Sequence, residues 1–356
     1  MSYRVARCST CGFHYADLLP PDAQFDVYYE TLSKYDTVQN ISALDQQRND
    51  AAVQLCARAN IPKTARIVDL GCGFGAFLAA LRDAGWAQVT GVDPGPQSPA
   101  TARTMFGLND VRTGTLANAG ACVDLSQAGL VCLMAVLEHL PQLPRDLSRL
   151  LAAMRPGSRL LIEVPALDAF EGDAGEPFGE LSLEHIQFFS AVSMRNLLAR
   201  LGARVLLEEV VPLPIVNSGS LFVVAEVGAP PSTTLERESG AIFDAYLRGS
   251  AVRLRRALTH VPDVPFLLYG AGAHSARLIH ALSQEQQSRI VTVLDGNPNL
   301  HGKRFGRWTI KPPEALSEHP ELPVLISSFR SEKVIANALG KRFSNPLILM
   351  YSQPEA

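Results

Sequence analysis

The sequence predicts an α/β protein with two parallel sheets in tandem behind a small N-terminal cap. Three observations predict it. From Ala65 the chain alternates short apolar runs, turns and helical patterns. A second alternation of the same kind begins at Phe266, and between them lies Gly228-Ala229-Pro230-Pro231-Ser232-Thr233-Thr234, a linker by composition. Strands alternating with helices bury both faces of a parallel sheet, so each run reads as continuously apolar rather than two-sided.

Taken in order, residues 1–62 form the expected cap. It starts with Cys8-Ser9-Thr10-Cys11, passes Tyr28, Tyr29 and Tyr35, and enters a helix over Ser42–Ala59. Ser42 is its N-cap, with Asp45 three residues on. Residues 63–229 form the first sheet domain. Strands are expected at Arg66–Leu70, Val89–Val92, Leu130–Ala135 and Arg159–Val164, and helices at Phe77–Ala84, Asp146–Met154 and Val192–Leu201. Gly202 ends the last of these as a natural C′ residue. Val205–Val211 and Leu221–Glu226 read as two late strands with an antiparallel finish. Residues 235–356 form the second domain. An Arg-rich helix (Arg248, Arg253, Arg255, Arg256) leads to strands Phe266–Tyr269, Ile290–Leu294 and Val324–Ser327.

Composition narrows the function classes. The 356 residues are 47% hydrophobic and 19% charged, as in a globular protein with real cores. A net charge of -3 supplies no basic field for nucleic acid. No apolar run approaches the roughly 18 residues that span a bilayer, and Met1–Arg7 lacks a signal-peptide core, so the expected location is cytoplasmic with no membrane partner. Of the six cysteines only Cys8 and Cys11 are closely spaced, a reduced-compartment pattern rather than a disulfide framework.

The chemistry concentrates at Ile67-Val68-Asp69-Leu70-Gly71-Cys72-Gly73-Phe74-Gly75. Three alternate glycines after a strand let the backbone turn sharply and approach a ligand closely. Asp93, about 20 residues on, ends the next strand, where a carboxylate can accept from ribose hydroxyls. An acid leading the loop would repel a diphosphate but suits a cationic amino-acid group. This pattern resembles motif I of the class I S-adenosylmethionine-dependent methyltransferases, and Gly91-Val92-Asp93-Pro94 resembles their acidic second motif. The resemblance continues through Leu130-Val131-Cys132-Leu133-Met134-Ala135-Val136-Leu137-Glu138-His139-Leu140 and Met154–Glu163, covering roughly residues 65–226. It implies a class I methyltransferase Rossmann-like sheet, with a second Rossmann-like α/β domain behind it. The implied cofactor is S-adenosyl-L-methionine, held by Asp69, Gly71, Cys72, Gly73, Phe74, Gly75, Asp93, Pro94, Thr115, Leu116 and Ala135.

A narrower resemblance spans nearly the whole chain. Glu184-His185-Ile186-Gln187-Phe188-Phe189-Ser190 and Asn217-Ser218-Gly219-Ser220-Leu221 look like segments of the C-methyltransferases that act on nucleotide-linked keto-deoxysugars. Tyr269-Gly270-Ala271-Gly272-Ala273, Asp295–Lys303 and Pro312–Leu316 sit where that family has corresponding C-terminal segments. The resemblance implies a nucleotide-linked sugar as small-molecule partner. It implies His185 with Glu184 as the base that removes an α-proton, and His139 as a polar group facing the methyl donor. Histidine suits such work, since its pKa near 6.5 places its charge change close to neutral pH. Tyr28, Tyr29 and Tyr35 fall where the family places active-site tyrosines, with Tyr35 carried forward. Two positions depart from the family. Ser182 stands where it has a tyrosine, and only Cys8 and Cys11, with His14 nearby, remain of a four-cysteine zinc site. No other metal ligand set is assigned.

Rival readings stay open. An O-methyltransferase of a sugar, polysaccharide or natural-product hydroxyl needs only one base. A binding protein on an inactive methyltransferase fold needs none. The second glycine loop, Gly270–Ser275, lacks a third glycine, and it reads as architecture rather than as a dinucleotide site.

Overall fold

The computed structural model describes residues 4–17, 19, 21, 40–170, 175–182, 184–213 and 218–352. They fold as two compact units, one of residues 1–170 with 183–244, the other of 171–182 with 245–356. The chain is mixed α/β, with Rossmann-like parallel sheets in both.

In the first unit, strands β1 (Arg4–Arg7) and β2 (His14–Asp17) form an N-terminal hairpin. The main sheet contains β3 (Ile67–Leu70), β4 (Val89–Asp93), β5 (Val111–Thr113), β6 (Leu130–Met134) and β7 (Arg159–Pro165). Next comes β8 (Gln187–Phe188), which joins the hairpin instead in a three-stranded sheet, and then β9 (Ala203–Leu213) and β10 (Ser218–Val227) return to the main sheet. The seven-stranded order is β5-β4-β3-β6-β7-β10-β9. The first five strands are parallel, and β10 is antiparallel to both neighbours. This strand order is consistent with a class I methyltransferase fold. The order reverses beside β3, so the loops after β3 and β6 diverge and open a crevice at the carboxyl ends of those strands.

Side-chain alternation along the strands fills both faces. Val68, Leu70, Val131, Leu133, Leu160 and Ile162 pack on one side, and Ile67, Leu130, Cys132, Leu161, Phe222 and Val224 on the other. The helix Ala43–Arg58 covers the second face through Ala52, Leu55 and Cys56. It starts where expected, with Ser42 Oγ accepting from Asp45 N at 3.0 Å.

The second unit carries β11 (Phe266–Tyr269), β12 (Ile290–Leu294), β13 (Arg304–Phe305), β14 (Trp308–Lys311), β15 (Val324–Ile326) and β16 (Leu347–Leu349). Their order is β13-β14-β12-β11-β15-β16, parallel except for β13. Residues 175–182, an excursion between β7 and β8, belong to this unit. Glu176 pairs there with Arg277, and Tyr246 Oη accepts from Glu180 N at 2.9 Å.

The main strands and helices lie within a few residues of their expected places. The division between the units differs. The compositional linker was placed at 228–234, yet it is tied down on the first unit. Ser232 N donates to Ala199 O at 2.9 Å, and Asn196 exchanges hydrogen bonds with the Glu236 backbone. The division falls at 244/245, inside the helix Ala241–Leu258. Proline and glycine mark a break in secondary structure, not a free backbone. Strands β1, β2, β5, β8, β13, β14 and β16 had no expected counterpart; at two to four residues each they are too short to show a period.

Candidate active site

The turn after β3 shapes a small cavity open to solvent. Asp69, Gly71, Cys72, Gly73 and Phe74 line it, with Ala76 and Phe77 from the following helix, Met134 and Ala135 from the end of β6, and Asp45, Arg48 and Asn49 from the helix Ala43–Arg58. Gly71 and Gly75 are required by the backbone. Their φ values are 82° and 87°, and a Cβ would meet Val136 Cγ2 at 2.6 Å and Leu108 Cδ1 at 2.8 Å respectively. Ala135 is left-handed without being glycine, at φ 54°. Such a residue costs on the order of 1–3 kcal/mol and tends to mark functional sites.

Asp69 is the unusual charge. It is 1% exposed, and among the described residues its Oδ1 has no hydrogen-bond partner. Burial, reinforced by the nearby Asp93 carboxylate, pushes its pKa up to about 8. A buried acid with an open acceptor is stabilised by an incoming cation. Asp93 also has a task within the fold. Its Oδ2 accepts from Gly73 N at 2.7 Å, and its Oδ1 from Gly95 N at 2.8 Å and Ser98 Oγ at 2.7 Å. It ties the glycine turn to the end of β4, and it does not line the cavity. A ribose contact would have to share oxygens already in use.

Arg48 is engaged by Glu163, a wholly buried carboxylate on β7. Arg48 Nε donates to Glu163 Oε1 at 3.0 Å, Nη2 donates to Oε2, and Ser220 Oγ donates to Oε1. Burial works against the Arg48 charge, but Glu163 outweighs it and keeps the guanidinium above its usual range. The pair anchors the helix Ala43–Arg58 beside the cavity. An acid in the middle of Leu160-Leu161-Ile162-Glu163-Val164 signals a buried partner, but the sequence does not say which of 32 cationic residues supplies it.

Beyond β6 the chain makes a short turn, Leu137–His139, against which the segment before β8 is stitched. Ile186 N donates to Glu138 O at 2.8 Å, and Gln187 Nε2 to Leu140 O at 3.0 Å. His139 Nδ1 lies 2.8 Å from Glu184 O. The His139 and His185 rings meet edge to face, centroids 5.1 Å apart. Glu138 lies between them, 1% exposed, with a ligand atom within 4.8 Å of one on each histidine. Burial raises its pKa to about 7, against the opposing influence of His185.

The structure thus brings Asp69, Gly71, Cys72, Gly73, Phe74 and Ala135 into one cavity, and gathers Glu184, His185 and His139 at one turn. Gly75, Asp93, Pro94, Thr115 and Leu116 do not line the cavity. Thr115 instead caps the turn Leu116–Asn118, with its N donating to Asn118 Oδ1 at 2.7 Å. Tyr28, Tyr29, Tyr35 and Asn217 lie outside the described residues. Ser182 belongs to the other unit. Sequence reasoning missed Asp45, Arg48, Asn49, Met134, Glu138 and Glu163. Cys8 and Cys11 close a tight turn, with Gly12 N donating to Cys8 O at 3.0 Å. His14 is turned away to Glu238, 3.7 Å off, and stacks on Phe243, so it does not join a metal set with them.

Comparison with known proteins decides what this domain is. Residues 43–208 match the family described as Methyltransferase domain. The chain is thus similar to a methyltransferase domain over just under half its length. Two curated relatives are similar over part of their length. Trans-aconitate 2-methyltransferase of Variovorax paradoxus is 34% identical over 34% of this chain and 46% of its own. The protein of that name from Delftia acidovorans is 36% identical over 33% of this chain and 45% of its own. The chain thus spans about half the length of the curated relatives it matches. Among solved structures, 1,6-didemethyltoxoflavin-N1-methyltransferase of Burkholderia thailandensis is similar at 19% identity. It covers 63% of this chain and 99% of its own, with a TM-score of 0.45. No helix among the described residues is long and apolar enough to cross a membrane.

Proposed function

We propose that this chain is an S-adenosylmethionine-dependent methyltransferase acting on a small polar acceptor. The observation that carries the reading is Asp69: a buried acid with an open oxygen, under a glycine turn, inside a methyltransferase domain. The residues fit the donor. Asp69 meets its cationic amino-acid portion, and Gly71–Phe74 with Ala135 supply close backbone. The donor, when bound, supplies an electrophilic methyl group. His185 serves as the base that takes the acceptor's proton, with Glu138 beside it to stabilise the imidazolium that results. This assigns to Glu138 the partnership that the Glu184-His185 step had suggested for Glu184.

For the acceptor, the motifs around His185 and the second Rossmann-like unit favour C-methylation of a nucleotide-linked keto-deoxysugar. The relatives' names favour a second reading, methylation of an oxygen on a small polyacid. NMR of the product decides. A new C–CH₃ on a keto-sugar supports the first, and a methyl ester sinks it in favour of the second. His185→Ala is expected to lower turnover by about 10²–10⁴-fold with donor affinity kept within about twofold. Equal loss of both would reassign His185 to folding.

A further inference from the structure

We infer that Arg48 binds the α-carboxylate of the methyl donor's amino-acid group, the counterpart of the amine that Asp69 meets, and that Glu163 and Ser220 position it. Arg48 and Asp69 line the same cavity. A guanidinium carries five N–H donors in a planar fork. Glu163 takes two of them on one edge, Nε donating to Oε1 at 3.0 Å and Nη2 to Oε2. The opposite edge, made of Nη1 and the second hydrogen of Nη2, is left over. Among the described residues the nearest acid to Nη1 is Asp45, whose Oδ1 lies 3.8 Å off, beyond hydrogen-bond length. A fork of two parallel N–H groups is the geometry that takes a carboxylate in bidentate fashion.

The guanidinium is held in advance. Glu163 is wholly buried on β7, and Ser220 Oγ on β10 donates to its Oε1. Arg48 itself keeps 21% of its side chain exposed, against none for Glu163. A fork fixed on its inner edge and accessible beyond it loses little freedom when a ligand arrives. Glu163 also accepts through its backbone oxygen from Ala135 N at 2.9 Å, so one residue sets both Arg48 and the left-handed residue of the cavity wall. The charges select the ligand. The lining carries Asp45 and Asp69 against Arg48, and Glu163 already balances the guanidinium. A polyanion placed at Arg48 would meet an acidic wall, whereas a zwitterion finds a partner for each of its charges. The assignment to the donor rests on the methyltransferase reading.

The test is ligand binding without turnover. The full chain is titrated by calorimetry with S-adenosylhomocysteine, with its decarboxylated analogue, which keeps the amine, and with methylthioadenosine, which has neither group. The wild type should prefer S-adenosylhomocysteine to the decarboxylated analogue. Arg48→Lys is expected to weaken S-adenosylhomocysteine binding by roughly tenfold or more and to leave the other two ligands unchanged, so that the preference collapses. Asp69→Asn should weaken both amine-bearing ligands alike and spare methylthioadenosine. Ser220→Ala should weaken S-adenosylhomocysteine alone, by less than Arg48→Lys. Lysine is chosen because it keeps a counter-charge for Glu163, which alanine would strand. Should Arg48→Lys still fail to fold, Ser220→Ala decides by the same selective loss. Equal losses for S-adenosylhomocysteine and its decarboxylated analogue, or no loss for either, overturn the role of Arg48 and leave the methyltransferase reading standing. A wild type that binds no S-adenosylhomocysteine overturns that reading and this inference with it.

Discussion

The two glycine turns of this chain start alike and differ most at one buried position. Gly71 N donates to Val92 O and Gly270 N to Leu294 O, both at 2.7 Å, so the turns start from equivalent points of β3 and β11. In each, the acid ending the next strand holds the turn. Asp93 accepts from Gly73 N and Gly95 N, and Asp295 from Ala271 N at 2.8 Å and Asn297 N at 2.7 Å. The acid at the second strand end therefore holds the turn in both units. The difference lies two residues before the first glycine. It is Asp69 in one turn and Leu268 in the other, both buried. A buried acid with an open acceptor stands where the other turn has a core side chain. The second turn is closed further by His274, hydrogen-bonded to Ser327 and Tyr351, its pKa pushed down to about 4 by burial.

The largest effect should come from the buried Glu163–Arg48 pair of the first unit. Glu163→Gln leaves Arg48 without its counter-charge and is expected to destabilise the protein by about 3–5 kcal/mol in urea unfolding. Glu176→Gln, in the more exposed pair of the second unit, should cost about 1 kcal/mol. Equal losses would remove the contrast.

Donor affinity sharpens it next. Asp69→Ala is expected to weaken S-adenosylhomocysteine binding by about 1.5–3 kcal/mol, the scale of hydrogen bonds to a charged group, whereas Asp295→Ala should leave it unchanged. A calorimetric titration that finds the two variants alike would refute the assignment. Asp93→Ala should fall between them, at about 1–3 kcal/mol, because it loosens the turn that presents Gly73. Unchanged affinity would strip Asp93 of any part in the site.

Asp69 also gives a pH dependence. Asp69 has a folded pKa of about 8, above its unfolded value, so between roughly pH 4 and 8 the native state binds the extra proton. The ligand-free protein should lose stability as pH rises through that window, with the penalty complete above it. Asp69→Asn should flatten the slope. Thermal unfolding at several pH values checks it, and parallel curves would show that Asp69 is already satisfied.

The sequence by itself determined the strand-turn-helix rhythm, the two sheets, the first glycine turn and its leading acid. All are local: a run of four or five apolar residues, or a glycine forced by φ, is written in neighbours along the chain. Glu184-His185 and Glu138-His139 were legible as separate polar steps. Only the tertiary structure decided that Glu138 and His185, far apart in sequence, share one buried spot, that Arg48 answers Glu163, and that Asp93 is consumed in holding its turn. It also tied the proline-rich linker to the first unit and moved the division into a helix. The physical reason is the same in each case. A buried polar atom must find a partner, and which partner it finds depends on where the fold places distant backbone. That information is not carried by spacing.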